Sequence, residues 1–186
     1  MPDDTRSAPR FLDSSTPPTF ATLVAVTGVA AMAMNMFLPS LAHMAEEFGT
    51  DYSVIQLSVA LYLALTGAMQ IVLGPLADRY GRRPVLLAAY GIFAVASLGC
   101  VFAPNVTVFL GFRMAQASVY SGVVLARAIV RDSVPEARAA SMIGYLTMGM
   151  AVVPMVSPAI GGFLDTTLGW RASFWVMFLF GSAVVW

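Results

Sequence analysis

Lysine is absent from this sequence, and cysteine and histidine occur once each, as Cys100 and His43. A single thiol excludes an internal disulfide framework, and a single thiol with a single imidazole excludes a Cys/His zinc centre. Charge is also scarce. Asp, Glu, Lys and Arg make up 11% of the chain, where soluble domains carry about 25%. The formal net charge is zero, and no basic patch lies outside the loops, so no basic face is offered to nucleic acid. No metal-ligand cluster, nucleophile–base pair or cofactor loop stands out. An enzyme is not expected, and neither a metal nor a cofactor is implied.

Apolar residues, by contrast, make up 59% of the sequence, more than a soluble core of this size can use. The apolar runs lie at about 19–41, 54–76, 84–102, 106–129, 140–164 and 172–186. The first five approach or exceed the ~20 residues needed to cross a bilayer, while the sixth ends at Trp186 after fewer. The expectation is an all-α membrane protein whose bundle spans 19–186. Residues 1–18 are polar and lack the order of a cleaved signal, so they read as a disordered tail. Arg6, Arg10, Arg79, Arg82, Arg83, Arg127, Arg131 and Arg138 fall on the side of the N-terminus, and only Arg171 falls opposite. The positive-inside rule then places the N-terminus and the 74–87 connection in the cytoplasm of a multi-pass cell-membrane protein.

Polar residues inside the runs are the candidates for function. Arg113 is the one ionisable residue well inside a run, at a cost of at least ~2.5–3.5 kcal/mol on insertion scales. Gln116 and Tyr120 follow one and two turns on and share its face. Asn35 is the polar residue of the first run, ahead of Pro39, which is expected to kink the helix. It reads as an interhelical hydrogen bond or a substrate contact. Gln56, Tyr62, Thr66 and Gln70 suggest a polar stripe on the second helix. The third run reads as a packing or lipid-facing helix. The acidic stretch 42–52 reads as an external loop, and His43 as an interfacial residue. The fifth run carries Pro154, Ser157, Pro158, Gly161 and Gly162, tolerable in a membrane where neighbouring helices re-satisfy freed backbone groups.

The stretch Gly74 to Leu87, GPLADRYGRRPVLL, resembles the loop signature between helices 2 and 3 of the major facilitator superfamily. Gly74, Leu76, Asp78, Arg79, Gly81, Arg82 and Arg83 fall on it. RMAQASVYSG is similar to the family's helix-4 motif, with Ala117 in place of a glycine. VVPMVSPAIGG resembles the helix-5 antiporter motif: Pro158, Gly161 and Gly162 match, while Val153 and Ser157 replace glycines. ARAIVRD and the P-x-x-x-P spacing resemble drug transporters of the Bcr/CflA type. In that branch a carboxylate commonly stands where this chain has Asn35.

The resemblance implies the N-terminal six-helix half of a proton-coupled drug antiporter working by alternating access, its sixth helix cut short. Its cargo would be small amphipathic molecules and protons, and transport would need the missing C-terminal half or a dimer partner. Arg113, Gln116, Asn35 and Tyr120 would belong to the substrate and proton-coupling cavity. Gly74, Asp78, Arg79, Gly81, Arg82 and Arg83 would form the cytoplasmic gate. Pro154, Ser157, Pro158, Gly161 and Gly162 would set the bend of helix 5. The alternatives are an importer of sugars or organic acids and a truncated remnant that does not transport.

Overall fold

A computed structural model describes residues 20–133 and 135–185. The expected tail at 1–18 and the last residue, Trp186, lie outside them. The described residues form helices and no strand. They are α1 (Phe20–Asn35), a 3-10 turn (Leu38–Ser40), α2 (Leu41–Glu47), α3 (Tyr52–Tyr80) and α4 (Arg82–Val101). There follow α5 (Val106–Ala115), a 3-10 segment (Gln116–Tyr120), α6 (Ser121–Ser133), α7 (Glu136–Leu168) and α8 (Arg171–Val185). Five stretches are long and apolar enough to cross a membrane: Ala21–Glu47, Tyr52–Tyr80, Arg82–Val101, Val106–Asp132 and Ala139–Leu168. Arg171–Val185 is a shorter apolar helix.

The helices alternate between two ends of the bundle. At one end α3 turns into α4 at Gly81, whose φ of 88° suits a residue without a Cβ. At the other end α7 turns into α8 at Gly169. The connection expected to open at Gly74 is far shorter than the sequence suggests. Helix α3 runs through Gly74 and Pro75 as far as Tyr80, and α4 resumes at Arg82. Pro84 sits in the first turn of α4, where its missing N–H has no intrahelical partner to lose.

Several other boundaries differ from expectation for physical reasons. The acidic stretch after the first span is mostly the short helix α2, whose Leu41, Met44 and Ala45 are buried. Pro39 does not kink a continuous helix, because α1 has already ended at Asn35 and the proline lies in the 3-10 turn. The fourth span is likewise broken by the 3-10 segment 116–120. The third span is a packing helix: Tyr90, Phe93, Ala96, Ser97 and Cys100 are buried, and the Tyr90 hydroxyl donates to the Val26 carbonyl at 2.6 Å. The polar stripe on α3 divides, with Tyr62 and Thr66 buried and Gln56 and Gln70 exposed.

Aromatic rings cluster at the Gly169 end. Phe37, Phe48, Phe109, Trp170 and Phe174 stack edge-on or tilted, with centroids 5.5 to 6.0 Å apart. Such pairs contribute about 0.5–1.5 kcal/mol each beyond the area they bury. Trp170 is thereby buried and not part of a lipid-facing belt, whereas Trp175 is exposed. Arg171 binds Glu47 and donates from Nε to the Val101 carbonyl at 3.0 Å, and the Trp170 indole donates to Glu47 at 2.5 Å. Three chain segments are tied there.

The turn that follows α1 meets α7 in direct backbone contact. A Cβ at Gly161 would collide with the carbonyl of Met36, so this contact requires glycine. Gly144, on the same helix, has nothing within 4 Å of a built Cβ. Gly161→Ala is therefore expected to destabilise the bundle by about 1–3 kcal/mol, the usual range for overpacking. Gly144→Ala is expected to be neutral or slightly stabilising. Thermal unfolding of the two variants in one detergent checks the contrast.

Candidate functional site

Arg113 occupies the centre of the described bundle with no solvent exposure. That excludes a side chain reaching for the membrane surface. Its guanidinium lies over two rings, 4.1 Å from the centroid of Phe37 and 4.0 Å from that of Tyr62. Stacking of this kind is worth ~2 kcal/mol or more when desolvated. One terminal nitrogen donates to Gln116 Oε1 at 2.6 Å and the other to the Ala33 carbonyl at 2.8 Å. The Gln116 amide donates in turn to Ser97 Oγ at 2.8 Å, and Ser97 donates to the Phe93 carbonyl at 2.8 Å. Arg113 Nε has no partner. Among the described residues no carboxylate is paired with this cation.

The breaks in the helices make this arrangement possible. Because α1 stops at Asn35, the carbonyl of Ala33 is left outside the regular i→i+4 ladder. Arg113 donates into it, so a cation caps the negative end of the α1 dipole. The 3-10 segment after α5 brings Gln116 beneath Arg113 and directs Tyr120 back toward α1 and α3. The Tyr120 hydroxyl donates to the Met34 sulfur at 3.6 Å, and its ring meets Tyr62 edge-on at 6.2 Å. Arg113, Gln116 and Tyr120, grouped from spacing alone, are thus brought together. Asn35 lies nearby on the sequence, but its amide donates back to Ala31 at 2.8 Å. That bond lies within one helix and does not bridge two, as was one expectation. Tyr62, read only as one member of a stripe, is a wall of the site.

The residues of the 74–87 signature gather at the Gly81 end. Arg82 pairs with Asp132 at 2.5 Å, which ties the start of α4 to the end of α6. A recess of about 400 Å³ opens beside them, lined by Gly74, Asp78, Arg82, Arg127, Arg131 and Ile143. Asp78, Arg79, Gly81 and Arg83 are exposed. On α7, Ser157 and Gly161 face inward, Pro154, Pro158 and Gly162 are half-buried, and Gly162 lies against Pro39. Both prolines are inside the helix.

One pair was not foreseen. His43 on α2 lies 2.7 Å from Asp165 near the end of α7, although 122 positions separate them. Asp165 falls just beyond the expected limit of the fifth run and so reads as a loop residue. The only signal was that both residues belong to the same end of the bundle.

Residues 23–186 match the family model described as Major Facilitator Superfamily. The chain is 41% identical over 148 residues to a "Chloramphenicol resistance protein" of Pseudomonas aeruginosa, covering 78% of this chain and 35% of that protein. It is 35% identical over 153 residues to "Multidrug resistance protein D" of Escherichia coli (strain K12), covering 82% and 39%. It is 30% identical over 154 residues to "Multidrug resistance protein MdtL" of Shigella flexneri, again covering 82% and 39%. The chain thus spans between about a third and two-fifths of the length of these curated relatives.

The site predicts that charge alone is not enough at position 113. Lysine offers one point of donation where the guanidinium uses two nitrogens and a stacked plane. Arg113→Lys is expected to lower stability by about 2–3 kcal/mol, close to the value for Gln116→Leu, since either change leaves buried polar groups unpaired. Unfolding midpoints of the two single variants and the double variant check this, and the double should cost less than the sum.

Proposed function

Because the chain belongs to the major facilitator superfamily, we propose that it forms the N-terminal half of a drug exporter. In this reading the exporter works by alternating access and exchanges protons for small amphipathic compounds. The observation that carries the reading is the similarity over about four-fifths of the chain to proteins named for chloramphenicol and multidrug resistance. The membrane-length helices and the proline–glycine run of α7 support it.

The bundle supplies three working parts. Arg113 with Gln116, Phe37 and Tyr62 forms a rigid polar core between α1, α3, α4 and α5. It fixes the helices that would border a central cavity, with Tyr120 and Asn35 nearer its edge. The Arg82–Asp132 pair, Asp78 and the recess beside them are the gate. With the positive-inside assignment, this end is cytoplasmic and the Gly169 end external. The third part is a pair of apolar faces. Ile71 and Val72 on α3, and Met155 and Phe163 on α7, are between about half and four-fifths exposed. A second half docks on these faces in the intact exporter, so that substrate sits between the halves near the membrane midplane.

Expression of the complete product of the gene in bacteria stripped of their own drug pumps tests the reading. The minimum inhibitory concentration of chloramphenicol is expected to rise at least fourfold, and Arg113→Ala is expected to cancel the rise. Unchanged susceptibility, with the protein shown to be in the membrane, would refute the efflux assignment.

A further inference from the structure

The His43–Asp165 pair has a form that the packing of the bundle does not require. Asp165 is the only buried carboxylate among the described residues. Its side chain is 5% exposed, whereas that of His43 is 59% exposed. Oδ2 meets the imidazole Nδ1 at 2.7 Å, while Oδ1 is buried with no hydrogen-bond partner. Oδ1 thus keeps an open lone pair inside the bundle, and the exposed imidazole is the group that connects this carboxylate to the surface. The pair also sits at a mechanical junction: Gly161 and Gly162, within four residues of Asp165, hold α7 against Met36 and Pro39.

We infer that His43 and Asp165 form a proton site at the Gly169 end, the imidazole receiving the proton and the carboxylate holding it. The inference rests on the proton-coupled efflux reading, and on that end facing outward. One proton from external water binds the free ring nitrogen of His43. The Nδ1 proton passes to Asp165 Oδ2, and the imidazole returns to its neutral form with one proton on the outer nitrogen. The carboxylate has become a carboxylic acid, and the charge-assisted bond between α2 and α7 has become a neutral one, roughly half as strong.

The polar residues at the centre of the bundle do not fit the role. Asn35 cannot titrate, and arginine does not give up its proton in proteins, which excludes Arg113. The charged groups facing the pair from neighbouring elements are few. Glu47 on α2 is engaged by Arg171 at the start of α8 and by the Trp170 indole. Glu46 on α2 is exposed, as is Asp51 before α3. Helix α1 and the 3-10 turn at 38–40 bring no ionisable side chain, and those of α6 (Arg127, Arg131 and Asp132) belong to the opposite end.

Two measurements on the complete product of the gene test the site. In the first, the protein in lipid nanodiscs is taken through an acid jump and followed by infrared spectroscopy. A carboxylic C=O band is expected in the wild type, absent in Asp165→Asn, and slower to appear in His43→Gln. The same band in wild type and Asp165→Asn overturns the proton site, and this arm needs no transport. In the second, everted vesicles are loaded with radiolabelled chloramphenicol by an imposed pH gradient. Asp165→Asn is expected to lose at least tenfold of gradient-driven accumulation while keeping equilibrium exchange of chloramphenicol within twofold of wild type. Gradient-driven accumulation preserved in Asp165→Asn overturns the site. Accumulation missing in the wild type itself counts against the efflux reading. The exposed His43 makes His43→Gln the variant that keeps the fold if Asp165→Asn does not.

Discussion

A positive charge with no negative partner, held in the middle of a membrane-length bundle, is the constraint on which the described structure depends. Lipid offers nothing to solvate Arg113, so the protein must do so itself. It does this with two ring faces, a side-chain amide and one backbone carbonyl. The carbonyl is available only because α1 ends at Asn35. The amide is in place only because α5 gives way to a 3-10 segment. The two breaks in otherwise long spans are therefore not weaknesses of helix propensity but what a buried cation demands. Ser97 on α4 completes the chain of donors from Arg113 through Gln116 to backbone. Four helices are thus tied through one guanidinium.

The two ends of the bundle are built to different standards. At the Gly169 end, stacked aromatic rings, the Glu47–Arg171 pair and the Trp170 indole join α2, α4, α5 and α8 into a closed cap. At the Gly81 end, among the described residues, one partly exposed ion pair bridges α4 and α6 beside an open recess. Exposed pairs of that kind contribute about 0–1 kcal/mol.

Much of this was legible in the sequence because membranes leave few options. Apolar runs of bilayer length fixed the spans, and the one charge inside a run marked Arg113. Helical spacing joined Gln116 and Tyr120 to it. What could not be read was how the chain departs from a regular helix. Pro75 is tolerated inside α3, and α1 ends before Pro39 can kink it, so proline misled twice. The amide of Asn35 serves its own helix, which periodicity cannot foretell. His43 and Asp165 meet across 122 positions, and only the folded packing of α7 against the end of the first span brings them together.

That packing joins the parts. Within five residues of α1 and the turn after it, the Ala33 carbonyl accepts from Arg113, the Met34 sulfur from Tyr120, and the Met36 carbonyl rests on Gly161. The Phe37 ring then covers the guanidinium. A backbone contact with no side chain between the helices cannot absorb a shift by changing rotamer, so movement of α7 at Gly161 must move the end of α1. The end of α1 cannot move without lengthening a hydrogen bond to Arg113 or uncovering its charged face. A change at the Gly169 end of α7 is therefore transmitted to the buried cation by rigid contact, and this short stretch at the end of α1 is the part of the bundle that carries it.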